Sequence, residues 1–404
     1  MDWPGTGTLV ATCAGGTERI VEQEIERLGM RVVPDPHSSD PRTRGPAGAV
    51  TFSGTAREMI RANIHLRCAG RVLVPLVDGA VTSYDDLYRL ARRLNWSTII
   101  PPPDSFRVSA FSSDARLPDG RFAALKVKDA IADSQRAKRA ERSNVDKQAP
   151  TVGVSVHIAD SRAQISLDSS WPALHERSYR VEGGTAPLRE TLAASLVLLS
   201  GWDATVPLCD PMCGSGTIAI EAALIARSIA PGLIRPGFAY ERWRFVDRAL
   251  HERCIADARR AASDRQARPL VYASDVDPAI VAAAKRNAER AGVTDAIDFS
   301  VADLFGRDAP ATAGAGIVVT NPPYGERMTL DEADTFYRDL GDRFKQGYAG
   351  WHIYLLTSNR AAMKRFGLRT NVTAKLRNGP LDATLYSTKI FARTAPDGPG
   401  ETGD

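Results

Sequence analysis

Four consecutive residues, Asn321-Pro322-Pro323-Tyr324, carry the most pointed chemistry in this chain. They follow the apolar run Gly316-Ile317-Val318-Val319-Thr320, whose composition predicts a buried parallel strand. Asn321 then stands at a strand's carboxyl end, where open α/β sheets receive ligands. The prolines fix φ and carry no N–H, so the turn offers acceptors without competing donors. Each residue before a proline is also held extended. An amide oxygen, a proline carbonyl and an aromatic ring converge on a space suited to a planar group bearing an NH2. Alone, the same residues also describe a loop with a rigid brake and a core tyrosine, so the decision falls to what precedes them.

Upstream, Asp210-Pro211-Met212-Cys213-Gly214-Ser215-Gly216-Thr217 lies between a predicted strand and a predicted helix. Glycines there permit close backbone approach to a ligand at the helix N-terminus. Gly214, Gly216 and Ala219 also satisfy a dinucleotide fingerprint. Charge separates the two ligands: a carboxylate at the mouth of the loop repels a pyrophosphate but favours the amino and sulfonium cations of S-adenosylmethionine (SAM). Asp275 ends the next predicted strand, where an acid accepts hydrogen bonds from ribose hydroxyls. Asp277-Pro278 reads as a helix cap with proline in the first turn. Asp303, in Val301-Ala302-Asp303-Leu304, ends a further short strand and is placed to accept from an adenine amino group. Each aspartate taken singly suits a cap or turn; the features in this order point to SAM.

Rigid elements must hold these groups. The second half alternates: a helix over Leu192 to Leu199, a strand at Val206 to Cys209, a helix at Ile218 to Ala226, a strand at Leu270 to Ala273, a helix at Ile280 to Ala291, then the strand before Asn321. That pattern predicts a parallel sheet covered on both faces. Two later strands, Val372 to Leu376 and Leu385 to Phe391, flank Asn378-Gly379 and predict an antiparallel hairpin. Asp210 and Asp275 are too far apart for one strand-helix-strand step. Residues 231–267, with a helix near Ala249 to Ala261, therefore read as an insertion that is a cover, part of a substrate site, or a plain helical excursion.

The first half predicts strands at Leu9 to Cys13, Val50 to Phe52, Arg71 to Val77, Phe106 to Phe111, Val152 to Ile158 and Ala163 to Leu167. Helices begin at Thr17 and Thr55, and another covers Tyr84 to Leu94, with Trp96 closing it. A further helix spans Arg121 to Arg142, burying Val127 and Ile131. Its Lys128, Lys138, Arg139 and Arg142 share the other side, interleaved with Asp129, Asp133 and Glu141. Such a face is either simply solvated or binds phosphate.

A length of 404 residues suggests two or three domains. The net charge of +4 is uneven: Arg61 to Lys147 holds 16 Lys/Arg against 10 Asp/Glu. Pro396 to Asp404 carries only acids and reads as a disordered tail. Five cysteines without a CxxC pair suggest reduced thiols and no metal. Neither a leader nor a membrane-length apolar run is evident, which predicts a cytoplasmic protein.

From about Leu9 to Phe391 the chain resembles the THUMP-containing class I SAM-dependent RNA methyltransferases, most closely those that methylate guanine N2 in bacterial 23S rRNA. The resemblance rests on Val127-Lys128-Asp129-Ala130-Ile131, Leu174-His175-Glu176-Arg177-Ser178-Tyr179-Arg180, Ala186-Pro187-Leu188-Arg189-Glu190-Thr191, Asp210 to Thr217, and Asn321 to Arg327. It implies an α/β fold: a Rossmann-like seven-stranded class I methyltransferase domain (170–395) preceded by α+β ferredoxin-like (1–62) and THUMP RNA-binding (63–169) domains, with a tail at 396–404. In some members a second methyltransferase half follows; this chain stops, so no second activity is expected. Ser178 stands where glycine is common in the family.

The resemblance further implies an RNA partner held by Lys128, Lys138, Arg139, Arg142, Arg177 and Arg180. Pro187, Met212, Thr217, Val276, Ala302 and Asn321 complete the expected cofactor-binding set. Catalysis is expected from Asn321, Pro322, Pro323 and Tyr324. The Asn321 side chain and the Pro322 carbonyl accept the two amine N–H groups, and Tyr324 stacks on an extracted base. A related tRNA guanine-N2 enzyme and a non-catalytic RNA-binding assembly factor are the alternatives, while DNA adenine-N6 and protein glutamine-N5 methyltransferases share the Asn-Pro-Pro-Tyr turn.

Overall fold

The computed structural model describes residues 3–34, 48–138, 142–180, 188–263, 271–310, 314–323, 330–379 and 381–391. Two compact units result: Met1–Ser178 with Ile229–Asp264, and Tyr179–Ser228 with Arg265–Asp404.

The first unit contains β1 (Thr8–Cys13), α1 (Glu18–Arg27), β2 (Ala49–Ser53), α2 (Ala56–His65), β3 (Ala69–Ala80), α3 (Tyr84–Arg92), α4 (Trp96–Ile99), β4 (Phe106–Ser112), α5 (Gly120–Lys138), β5 (Val152–Ala159) and β6 (Arg162–Asp168). Its six-stranded sheet has the order β2-β1-β3-β6-β5-β4. β3 is long enough to serve both ends. Its start pairs antiparallel with β1, and its remainder, from Leu73 to Ala80, pairs antiparallel with β6. One sheet is therefore continuous where the sequence suggested a junction at 62/63, a position that falls inside α2. Two local readings also change. Trp96 does not close α3 but opens α4, fully buried, with its indole N–H donating to Ala91 O at 2.8 Å. α5 is described as far as Lys138, residues 139–141 lie outside the described residues, and the expected end, Arg142, is not helical.

In the second unit come α6 (Glu190–Leu199), β7 (Leu208–Asp210) and α7 (Thr217–Ala226). After the inserted α8 (Arg248–Ser263) follow β8 (Val271–Asp275), α9 (Pro278–Ala291), β9 (Ile297–Val301), β10 (Ile317–Thr320), α10 (Leu330–Gly347), β11 (His352–Thr357), β12 (Asn371–Asn378) and β13 (Leu381–Lys389). The seven strands run β12-β13-β11-β10-β7-β8-β9. β7 to β11 pair in parallel, and β13 lies antiparallel between β11 and β12, giving the expected reversed hairpin. α6 and α7 are apolar on nearly every side and almost wholly buried, as helices packed on a two-faced sheet must be.

The insertion folds with the first unit. α8 packs on α2. The guanidinium of Arg235 donates to four backbone carbonyls, those of Ser170, Pro172, Ala173 and Glu176, at 2.7 to 3.2 Å. Tyr240 N donates to Ser169 O at 3.2 Å, and Arg242 Nη1 to Pro150 O at 3.1 Å. Carbonyls after the last strand of the first sheet are thus satisfied by a residue about sixty positions away in the chain.

Candidate active site

The strand order sets the carboxyl ends of β10, β7, β8 and β9 side by side, the edge at which α/β sheets bind ligands. Asp210 is the last residue of β7 and Asp275 the last of β8; Ala302 and Asp303 follow β9, and Asn321 follows β10. The first three ends are stitched together. Cys213 N donates to Ser274 O at 2.9 Å, and Ala302 N to Asp275 O at 3.0 Å. Asp275 Oδ2 accepts from Gly214 N at 3.0 Å, while its Oδ1 accepts from Asp277 N at 3.2 Å. A carboxylate offers about four lone-pair sites, so Asp275 keeps capacity for a diol.

Gly214 (φ +53) and Gly216 (φ +83) occupy backbone conformations that disfavour a side chain. At Gly214 an added Cβ meets nothing within 4 Å, so the loop backbone faces open space that a ligand can approach. At Gly216 the Cβ would lie 3.0 Å from Ala284 Cβ, because α7 starts hard against α9. Asn287 Nδ2 of α9 donates to Ser215 O at 3.1 Å, fixing the loop from below. Met212 is half-buried against the core formed by Tyr337, Leu340 and Phe344. Val276 is 68 % exposed at the rim. Asp303 is exposed, with Oδ1 accepting from Phe305 N at 3.0 Å, so it both caps a turn and faces solvent.

Asp210 departs from expectation. Instead of lying at the mouth of the loop, it sits beneath it, 1 % exposed, because β7 has neighbours on both sides. Its Oδ1 accepts from Thr320 Oγ1 at 2.9 Å and from Met212 N at 3.4 Å. Burial pushes its pKa up to about 7, against the lowering effect of those two donors, and the Asp275 charge adds to the rise.

Asn321 has its Oδ1 buried and without a hydrogen-bond partner among the described residues. Buried acceptors are almost always satisfied, so one left open at a strand's carboxyl end marks a place for an external donor. Pro322 is buried and Pro323 half-buried beside it. Tyr324 and Pro187 lie outside the described residues, as do Glu326 and Arg327.

The expected RNA-binding set divides. Arg177 is corrected: it is 1 % exposed, its guanidinium donating to Leu174 O and Arg67 O, so no phosphate reaches it. Arg180 is likewise spent internally, on Leu188 O, Thr217 Oγ1 and Glu190, with 14 % of its side chain exposed. It braces the first turn of α7, and Thr217, itself 5 % exposed, is held by that contact. Arg142 is exposed but lies beyond α5, not on its face. Lys128 is half-buried on α5; Arg139 and the side chain of Lys138 lie outside the described residues.

Two contributors went unread in the sequence. Thr320 is the polar last residue of an apolar strand, and Asn287 the amide among Ala284, Ala288 and Ala291 on the buried side of α9. In both, a lone hydrogen-bonding group in an apolar pattern was the available signal.

Comparison with known proteins shows the family. Residues 177–387 match the family model described as an RMKL-like methyltransferase domain, residues 81–168 a THUMP domain and residues 8–73 an RlmL ferredoxin-like domain. A relative from Synechocystis sp., named "Putative RNA methyltransferase", is 35 % identical over 96 % of this chain and 97 % of its own length. The ribosomal RNA large subunit methyltransferase K/L of Shewanella amazonensis is 36 % identical over 98 % of this chain, which spans only 55 % of that relative. The crystal structure titled "SMU.472, a putative methyltransferase complexed with SAH" superposes with a TM-score of 0.83 at 30 % identity, covering 97 % of this chain and all of that one. The chain thus belongs to the RMKL-like, THUMP-containing methyltransferases with an RlmL-type ferredoxin-like start.

Proposed function

We propose that this protein is a SAM-dependent RNA methyltransferase that methylates the exocyclic N2 amine of a guanine in 23S rRNA. The observation that carries the reading is the open, buried Oδ1 of Asn321 beside the loop 210–217. The cofactor fits the residues present: Gly214 leaves open space along the loop, Asp275 keeps free lone pairs, and just beneath lies the Asp210 carboxyl, whose ionised form a bound cation favours. The relatives named for ribosomal RNA and the neighbour holding SAH support the same direction.

Bound SAM supplies an electrophilic methyl on a sulfonium. The chain's task is to make a poor nucleophile competent, since the guanine amine's lone pair is delocalised into the ring. Asn321 Oδ1 accepts one N–H and the Pro322 carbonyl the other, favouring a pyramidal nitrogen whose lone pair points away from both acceptors. Attack is then a matter of alignment and electrostatics. The amine proton becomes acidic only as the new C–N bond forms, so no strong base need act first. Tyr324 would stack on the extracted base.

The test supplies tritium-labelled SAM with deproteinised 23S rRNA, mature large subunits and total tRNA from a strain lacking the gene, followed by nucleoside mass analysis. The reading expects N2-methylguanosine in 23S rRNA, with free rRNA the better acceptor because unpairing the base costs least there. Dominant labelling of tRNA would favour the tRNA enzyme instead, and N6-methyladenosine would overturn the assignment of the amine.

A further inference from the structure

The first unit's sheet has a second face that none of the expected RNA-binding residues occupies. On β5, Val152, Val154, Val156 and Ile158 are at most 2 % exposed and form the core side. The alternate residues Gly153, Ser155 and His157 point the other way. β4 is the edge strand, and its Arg107, Ser109 and Phe111 pair in register with those three residues. Across the next strand Gly153 pairs with Asp168 and His157 with Gln164. One face thus carries three parallel rows.

The end rows are unusual for a plain solvated surface. Phe111 is 65 % exposed and lies parallel to the His157 ring, with centroids 5.8 Å apart and planes 5° apart. Partial burial holds the His157 imidazole below its ordinary pKa, so at neutral pH this is an uncharged flat pair. In the opposite end row, the Arg107 guanidinium lies 3.8 Å from the ring centroid of Trp171, and Arg71 lies 5.3 Å from the same centroid. Asp168 pairs with Arg71. Among the described residues Arg107 forms no salt bridge; burial and Arg71 disfavour its charge, and Asp168 favours it. Gly153 keeps the row low: a Cβ there would stand 3.2 Å from Asp168 Cβ. Between the ends lie Ser109 and Ser155, small hydroxyls that leave the middle flat.

We propose that this face is a second RNA-binding site, taking a single-stranded segment with a base stacked on Phe111 and a phosphate on Arg107. Exposed aromatics on an open sheet are the means by which sheet platforms hold splayed bases, and stacking on them is tolerant of sequence. The excess positive charge of Arg71 and Arg107 over Asp168 complements a phosphate. The site is distinct from α5, and it deepens the reading of the protein as an RNA enzyme by naming the form of RNA it grips. A bland alternative is a cross-strand pair, Phe111 with His157, that merely stabilises the edge.

The experiment measures binding of a fluorescent oligouridine to the full chain by anisotropy across a salt series, without SAM. Phe111→Ala should weaken binding about 10-fold with an unchanged salt slope, since stacking is not ionic. Phe111→Tyr should bind as the parent does, and Phe111→Leu should resemble the alanine variant. Arg107→Gln should weaken binding and reduce the slope of log affinity against log salt by about 0.7, the value for one phosphate on a single strand. Parent-like binding by both Phe111→Ala and Arg107→Gln would overturn the proposal. So would full rescue by Phe111→Leu, which would mark an apolar packing role, and that comparison stands even if the alanine variant folds poorly. Failure of the methyltransfer reading would appear separately, as no tritium incorporation with oligouridine binding intact.

Discussion

The hydroxyl of Thr320 donates to Asp210 Oδ1 across 2.9 Å, joining two residues 110 positions apart in the chain. One ends β10, which delivers Asn321; the other ends β7, which opens the loop 210–217. The groups proposed to address the amine and the cofactor thereby share one buried hydrogen bond. Thr320→Val keeps the shape and removes the donor. It should lower stability by about 1–3 kcal/mol, the usual result of leaving a buried acceptor short of a partner. It should also weaken SAM binding; calorimetry showing parent-like stability and affinity would mean the bond couples nothing.

The Asp210 carboxyl makes stability fall with pH. Its folded pKa, about 7, stands above the ordinary 3.8, so between these values the folded chain holds a proton that the unfolded chain has released. Stability contributed by Asp210 is therefore full below about pH 4 and is lost as pH rises towards 7. A cation bound above the loop favours the ionised form, so SAM affinity should rise with pH through the same window. Asp210→Asn should remove both dependences and weaken SAM at pH 8. The check is thermal melting and isothermal titration from pH 5 to 8; an unchanged pH profile in Asp210→Asn would contradict the assignment.

Ser178 adopts φ +70. Glycine would take this conformation more readily, since a β-carbon costs about 1 kcal/mol in the left-handed region. Ser178→Gly should relieve that strain, and offsetting unfolded-state entropy leaves a gain of about 0.5 kcal/mol or slightly more. A small rise in Tm by scanning calorimetry is the expected result; a fall would show that the serine hydroxyl contributes more than its backbone costs.

Much of this was legible in the residues, for reasons that differ by element. β10 was plain because an apolar run closed by Asn321-Pro322-Pro323 allows few conformations. Asp277 caps α9 through Ala279 N and Ile280 N as its place before Pro278 required. Burial was harder to read. Arg177 and Arg180 resemble phosphate ligands in a string of letters, but folding brings the Arg67 carbonyl to Arg177, and the Leu188 carbonyl, the Thr217 hydroxyl and the Glu190 carboxylate to Arg180. Asp210 was placed in the right loop but at the wrong depth, because flanking strands and not local sequence determine its exposure. The insertion's attachment to the first unit depends on Arg235 meeting carbonyls of 170 to 176, a contact between distant segments that no periodicity encodes. α10 and β11 went unanticipated, although Ala333, Tyr337, Leu340 and Phe344 recur at the helical period.

The central claim is that Asn321 addresses the substrate amine while the loop after β7 and the ends of β8 and β9 address the cofactor. The most direct measurement pairs single-turnover methyl transfer with calorimetric SAM binding for Asn321→Ala. The account predicts a loss of transfer of about 100-fold or more, the scale for removing one preorganised hydrogen-bonding group at a reacting centre, with SAM affinity within about 3-fold of the parent, well under the 1.4 kcal/mol of a tenfold change. Transfer that survives, or SAM binding lost in parallel with it, would contradict the account.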